Sequence, residues 1–185
     1  RLAENVNTSV LLLEAGPDYP DSAHLPDEIK FGNTSFAESP ESEHNWALRG
    51  TITEEQGETH VAQGKVIGGS GSINGQVFLR GLPEDFERWA SFGNEEWSYL
   101  KVLPYYRKAE HDMDIRDDLH GTDGPLLIVR REKETWPEIQ AAFLAAAVQA
   151  GYRHNPDMNG PELSGIGAIP MNNRDGVRMS TAITH

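Results

Sequence analysis

Residues 64–81 read Gly-Lys-Val-Ile-Gly-Gly-Ser-Gly-Ser-Ile-Asn-Gly-Gln-Val-Phe-Leu-Arg-Gly, and no other stretch is as well suited to chemistry. Glycines stand at 64, 68, 69, 71 and 75, serines at 70 and 72, and an apolar run, Val77 to Leu79, follows. Glycine lets a backbone approach a ligand closely and adopt φ > 0 without steric cost. Successive free N–H groups in such a bend cradle an anion or hydrogen-bond a heteroaromatic ring. A glycine-rich surface turn is the plainer alternative, and the apolar residues that follow speak against it. The bend fits no common phosphate motif. Walker A requires Gly-Lys-Ser/Thr, but Val66 follows Gly64-Lys65, and the dinucleotide fingerprint needs glycine where Asn74 stands. A Gly-x-Ser-x-Gly elbow fails because Ser72 holds its last position after Gly68-Gly69-Ser70-Gly71.

Glu14 is the second candidate. It closes the apolar run Val10-Leu11-Leu12-Leu13, which stops at Ala15-Gly16-Pro17. Periodicity does not decide the type of so short a run, but its length and the Gly-Pro stop favour a buried parallel strand. In a doubly wound sheet an acid at the end of the second strand accepts hydrogen bonds from a ribose diol. A helix cap or a solvated loop acid is the alternative. The seven histidines show no His-Glu-x-x-His spacing. His111-Asp112-Met113-Asp114 raises the question of a metal, but the acidic run to Asp118 lacks the calcium-loop glycine and reads as a solvated face. Phe86, Trp89, Trp97 and Tyr105-Tyr106 read as core aromatics rather than a substrate box.

The elements that must position these residues follow from local signals. Arg1 to Asn5 reads as the tail of a helix, and residues 17–45, with prolines at 17, 20, 26 and 40, as a long loop. Asn7-Thr8-Ser9 and Asn33-Thr34-Ser35 match the glycosylation pattern, which chance also produces. Pro83 starts a helix over 84–90, with Phe86 and Trp89 on one face. Residues 99–110 form a second, with a kink or restart at Pro104. His120-Gly121-Thr122-Asp123-Gly124-Pro125 is a turn into a strand over 126–129. Residues 137–150 carry the best-marked helix, with proline at its start, alanine through its body and Gly151 as its stop. Residues 154–168 form another loop. A parallel strand at 10–13 needs a partner and a crossover, so the first strand and most of its helix are expected before Arg1. The opening on Arg1 rather than methionine agrees.

Composition bounds the rest. The 185 residues suffice for one domain or parts of two, and a net charge of −13 excludes phosphate-backbone binding, for which Arg130-Arg131 is too small a basic patch. With no cysteine, thiolate sites and disulfides are excluded, which fits the cytoplasm. No apolar stretch reaches the roughly 18 residues that span a bilayer, so no transmembrane segment is expected.

The glycine bend resembles the first signature of the glucose-methanol-choline flavoprotein oxidoreductases. That signature runs from Gly-Lys/Arg through Gly-Gly-Ser and Asn-Gly to an apolar run and Arg-Gly, as Gly64 to Arg80-Gly81 does. The likeness covers the whole chain. Val10 to Pro17 resembles the family's second strand with its ribose-binding acid, and Asn45-Trp46 its tryptophan segment. Asp85 to Trp89, Trp97-Ser98-Tyr99 and Leu103 to Glu110 resemble its next helices. His120-Gly121 with Gly124-Pro125-Leu126 resembles the strand opening its substrate domain, and Gly176 to Ala182 the return to its flavin domain.

The resemblance implies an α/β fold: part of a doubly wound FAD/NAD(P)-binding domain over 1–120, the start of an α+β substrate domain with antiparallel sheet over 121–175, and a return segment over 176–185. It implies FAD, with Glu14 on the adenosine ribose and Val66, Gly69, Ser70, Asn74, Gly75 and Val77 lining the flavin and its pyrophosphate. Family members with covalent flavin attach it through a histidine where this chain has Ile73, so non-covalent FAD is expected. The glycine fingerprint is expected before Arg1 and the catalytic histidine beyond His185, which itself is not the base, so no catalytic residue and no metal ligand is assigned within the chain. Companion polypeptide completing the enzyme is expected. The implied reaction removes a hydroxyl proton by that histidine and passes hydride to the flavin. A small alcohol becomes an aldehyde or ketone, and oxygen or a quinone-like acceptor takes the electrons. Arg80-Gly81 and the Ser-x-x-x-Asn-Gly form lean toward the choline-dehydrogenase-like branch. A hydroxynitrile lyase on the same scaffold and an inactive flavin-binding remnant are the alternatives.

Overall fold

Prolines at 17, 20, 26 and 40 keep the first part of the chain out of long elements. The computed structural model describes every residue except Arg1, Asn33, Leu163 and His185, so one glycosylation match, at Asn33, lies outside the described residues. The chain divides into two compact units, Arg1–Asn74 and Gly75–His185.

In the first unit, a 3-10 turn at Leu2–Glu4 stands where a helix tail is predicted. The single-turn helix α1, Asp27–Lys30, starts behind Pro26, whose carbonyl accepts the N–H groups of Ile29 (3.0 Å) and Lys30 (2.8 Å). A 3-10 turn follows at Phe36–Glu38. Strands β1, Leu48–Thr51, and β2, Glu58–Val61, form an antiparallel hairpin in which Leu48 faces Val61 and Thr51 faces Glu58. Ile29, Ala37, Val66 and Ile73 make the core, with Tyr19 and Leu25 packed against it. The predicted buried strand at 10–13 is not there. Leu11, Leu12 and Leu13 are 72–83% exposed and carry no strand pairing. The reason is physical: a parallel strand exists only through its ladder partners, and none stands beside this run among the described residues.

The second unit is richer in regular structure. Helix α2, Pro83–Ser91, has proline in its first turn, and the Asp85 carboxylate accepts the Leu82 N–H at 3.2 Å. Helix α3, Tyr99–Ala109, runs without interruption through Pro104. The carbonyl that Pro104 deprives of a partner is that of Leu100, which is exposed. Phe86, Tyr99 and Leu103 form the core between these helices. Trp89, Trp97 and Tyr105 correct the expectation of core aromatics, being half or more exposed. Strands β3, Glu110–Asp112, and β4, Leu126–Ile128, pair in parallel, and residues 113–125 supply the crossover. Helix α4, Glu138–Gln149, ends as its sequence predicts. Gly151 is left-handed (φ +95°), the Gly151 N–H bonds Val148 O, and the Tyr152 N–H bonds Ala147 O. Residues 154–162 and 164–168 lie outside helices and named strands and are bridged at His154 and Ile166. Strands β5, Asn173–Arg174, and β6, Val177–Arg178, make a tight antiparallel hairpin before the one-turn helix α5, Thr181–Thr184. No described helix is long and apolar enough to cross a membrane.

Candidate functional site

The bend at 64–74 is built by glycine for two distinct reasons. Gly68 (φ +91°) and Gly69 (φ +57°) turn the chain through left-handed conformations, and a 3-10 turn over Gly69–Ser72 follows. Gly64 is required by close approach: a Cβ there would lie 2.3 Å from the carbonyl carbon of Gly69. Side-chain hydroxyls fasten the bend internally. Ser70 Oγ accepts the Gly64 N–H at 3.0 Å, and the Ser72 hydroxyl donates to Ile67 O at 3.0 Å. Other main-chain donors are spent on protein: Lys65 N–H on His44 O, Ile67 N–H on Pro17 O and Gly69 N–H on Val66 O. Among the described residues, the N–H groups of Val66, Gly68 and Ser70 bond to no protein acceptor. Around Gly69 and Gly71 the space is open, since a Cβ at either would meet no atom within 4 Å. A backbone bare of side chains, with unspent donors, fits the flat heteroaromatic and pyrophosphate groups of a dinucleotide cofactor.

Each predicted residue has a definite place in the structure. The Val66 side chain is buried in the core with Ile73, so only its main chain is left for a ligand. Gly69 and Ser70 lie on the open face of the bend. Glu14 belongs to a segment that reaches the bend, because Gly16 packs so tightly on Lys65 that a Cβ would fall 1.8 Å from its carbonyl oxygen. Its carboxylate presently accepts the N–H groups of Ala15 (2.9 Å) and Gly16 (2.8 Å). Asn74 is exposed at the end of the first unit, and Gly75 and Val77 are exposed at the start of the second. Between Gly75 and Val77 stands Gln76, buried and left-handed (φ +62°). The Asn172 N–H bonds its carbonyl (2.9 Å), and the Asn173 side-chain amide bonds its Oε1 (2.6 Å).

Behind the Val77–Gly81 strip lies a buried ionic network that the residue pattern does not announce. Arg80 reaches Glu110 and donates to Leu119 O at 2.9 Å. His120 Nδ1 lies 3.2 Å from Glu110 Oε1 and 3.1 Å from Asp112 Oδ2, while Nε2 lies 3.1 Å from Asp157 Oδ2. Arg130 Nη1 contacts both Asp112 oxygens at 2.9 Å, and Nη2 contacts Asp157 Oδ1 at 3.3 Å. Asn159 ties the strip itself down, accepting the Arg80 N–H (2.9 Å) and donating to Phe78 O (3.0 Å). The Glu110, Asp112 and His120 side chains are fully buried. Burial alone would push His120 down, but its hydrogen bonds to Asp112, Asp157 and Glu110 prevail and hold it up at about 11. Burial also works to raise Asp112 and Asp157, and their bonds to His120, to backbone N–H groups and to Arg130 hold both below the usual carboxylate range.

Asp112 is therefore no part of a solvated face. Glu110, Asp112 and His120 lie close enough to suggest a metal site, but a metal would have to displace the His120 proton and compete with two guanidiniums that already neutralise these carboxylates. Among the buried groups, three acids, two arginines and one protonated histidine balance without a metal, and the more exposed Asp114 also reaches Arg130 at 3.7 Å. Elsewhere, a groove of about 740 Å³ beside α4 is lined by Trp136, Phe143, Leu144, Ile169 and Met171, with Arg131 as its charged member. It brings no acid, base or nucleophile together.

A model of the GMC oxidoreductase family matches residues 31–185. The chain is 38% identical over 184 residues to an uncharacterized GMC-type oxidoreductase of the thcA 5' region of Rhodococcus erythropolis, covering 99% of this chain and 36% of that protein. It is 38% identical to an oxygen-dependent choline dehydrogenase of Vibrio vulnificus, covering 98% of this chain and 32% of that one. Among solved structures, pyridoxine 4-oxidase from Mesorbium loti superposes with a TM-score of 0.86 at 30% identity, over 99% of this chain and 35% of its own. The chain thus spans about a third of the length of the relatives it matches. Its α/β architecture is that of the N-terminal region of these flavoenzymes. By matched model, relatives and fold together, the chain belongs to the glucose-methanol-choline (GMC) oxidoreductase family, whose N-terminal domain is the FAD-binding domain.

Proposed function

We propose that the chain is the flavin-holding part of an enzyme that oxidises the CH–OH group of a small alcohol to an aldehyde or ketone. In this reading 1–120 belong to the FAD-binding domain, 121–175 open the substrate domain, and 176–185 return to the first. The carrying observation is the bare bend, with unspent N–H groups at Val66, Gly68 and Ser70 and open space around Gly69 and Gly71. Glu14 would take the ribose. Gly69, Ser70 and the main chain of Val66, with Asn74, Gly75 and Val77, would hold the flavin and its pyrophosphate. When bound, FAD supplies the hydride acceptor, and the residues of this chain orient it and present fixed donors where negative charge develops on the ring. The choline dehydrogenases among the relatives favour a small primary alcohol as substrate, and oxygen or a quinone-like compound as electron acceptor. FAD is held without a covalent bond, because Ile73 has no nucleophilic atom and is buried in the core.

The test uses the full-length protein. Purified protein is expected to show the visible band of oxidised flavin, and acid precipitation should leave FAD in the supernatant. Anaerobic mixing with choline and other primary and secondary alcohols should bleach that band for at least one of them. A colourless protein sinks the flavin reading. A yellow protein that no alcohol bleaches sinks alcohol oxidation and favours a non-redox lyase.

A further inference from the structure

Residues 63–67 lead into the bend and are gripped from two sides. On one side Pro17 O accepts the Ile67 N–H at 3.1 Å, and Gly16 lies against the Lys65 carbonyl. On the other, His44 O accepts the Lys65 N–H (2.8 Å), Gln63 O accepts the Trp46 N–H (2.9 Å), and Asn45 Oδ1 accepts the Gln63 N–H (3.3 Å). Neither gripping segment belongs to a helix or a named strand. Segment 44–46 meets 63–65 through a single antiparallel bridge, Asn45 with Gly64, and segment 16–19 has no strand pairing, so side chains must join the two segments to each other.

Three side chains are placed to do it. Tyr19 Oη and His44 Nε2 are 2.6 Å apart, and His44 Nδ1 is 2.5 Å from Glu28 Oε1. His44 is 1% exposed. His44 Nδ1 pairs with the Glu28 carboxylate and Nε2 with the Tyr19 hydroxyl, so both ring nitrogens are partnered. Burial, with the charges of Glu43 and Glu28, pushes the Tyr19 phenol up, which keeps its proton available. The Ser42 hydroxyl donates to the same Glu28 oxygen at 3.0 Å and fixes the carboxylate on α1. Tyr19 stands two residues after Pro17, and His44 carries the carbonyl that holds Lys65. The Tyr19–His44 bond thus joins the two segments directly.

We infer that Glu28, His44 and Tyr19 form a clasp that closes segments 16–19 and 44–46 around residues 63–67 and so positions the N–H groups of the bend for the flavin. These are positioning residues, with no contact to reacting atoms. The inference rests on the reading that the bend binds FAD, and its test separates the two.

In the full-length protein, Tyr19→Phe removes the hydroxyl and leaves the buried His44 Nε2 unpartnered. A lost hydrogen bond of this kind is worth about a factor of ten in an equilibrium. Amide exchange in a peptide covering 63–67 should therefore speed up about tenfold, with the α4 peptide as an unaffected internal reference. FAD binding to the apoprotein should weaken by a similar factor. The double variant Tyr19→Phe/His44→Gln should lose no more FAD affinity than His44→Gln alone, and if His44→Gln does not fold, Tyr19→Phe decides. Unchanged exchange at 63–67 overturns the clasp, whatever FAD does. Faster exchange with unchanged FAD affinity overturns its service to the flavin. Wild-type protein that binds no FAD overturns the flavin reading and this inference together.

Discussion

His120 is the most exacting test of the buried network, because its protonation predicts a slope and not only a loss. With its pKa lifted from 6.5 to about 11, the native state keeps a proton that the unfolded chain releases. The stabilisation is complete below the unfolded pKa and drains away as pH climbs toward 11. Over that window one extra bound proton costs about 1.4 kcal/mol per pH unit, whatever the full size of the shift. From pH 7.5 to 9.5 the loss is about 2.7 kcal/mol. His120→Gln removes the titrating group and leaves three carboxylates against two guanidiniums, which at neutral pH costs about 3–5 kcal/mol, as for any broken buried ion set. The stability gap between wild type and variant should therefore shrink by about 1.4 kcal/mol for each pH unit above 7. Urea midpoints of the full-length protein at constant ionic strength, taken at half-unit steps over this range, measure it. A gap that stays constant means that His120 is neutral in the native state and that the buried charges do not balance.

Other substitutions separate packing from binding at the bend. Gly64→Ala drives a methyl to 2.3 Å from the Gly69 carbonyl carbon, so the bend must open. A fall of about 1–3 kcal/mol in urea unfolding should come with loss of bound FAD in the absorption spectrum. Gly69→Ala meets no protein atom and costs only about 1 kcal/mol for its left-handed backbone. Because its methyl enters the open face, FAD affinity should drop at least tenfold in a titration while the melting temperature of the apoprotein falls by only about 2–4 °C. Arg130→Met strips the guanidinium from Asp112 and Asp157. It should destabilise by about 3–5 kcal/mol, and a melting curve like that of wild type would contradict it.

What was legible in the sequence was local. Helix α4 could be read because its start at Pro137, its alanine body and its stop at Gly151 all fall in one short window. The bend could be read for the same reason, since Gly68 and Gly69 turn a corner that few other residues turn. The run Val10 to Leu13 could not, because strand formation depends on a neighbour and not on the apolar run itself. The helical spacing of Phe86 and Trp89 identified their common face but not the depth of each ring. Phe86 is 6% exposed, whereas Trp89, stacked edge-on at 5.7 Å from Trp97, keeps half of its surface in solvent. The hairpin β1–β2 had no forewarning, as Leu-Arg-Gly-Thr lacks an alternating apolar face.

The ionic network was illegible for a deeper reason. Read singly, Arg80, Glu110, Asp112, His120, Arg130 and Asp157 are six unremarkable surface charges. Burying any one alone costs several kcal/mol, so none is stable inside until the others arrive. Asp112 is tolerable only with two Arg130 contacts, His120 and the N–H groups of Asp114 and Ile115 around it. The set is a property of the assembled unit, and its one local trace is steric. Gly121 must lie so near the end of α3 that a Cβ would sit 1.9 Å from Arg107 O, and Gly124 so near that one would sit 2.5 Å from the Ala109 carbonyl carbon. The His-Gly-x-x-Gly spacing thus marks where a backbone is pressed against a helix end so that an imidazolium can enter between carboxylates. A side chain at either glycine would lift the turn off α3 and draw His120 out of the network, leaving Glu110 and Asp112 buried and under-compensated behind the strip that follows the glycine bend.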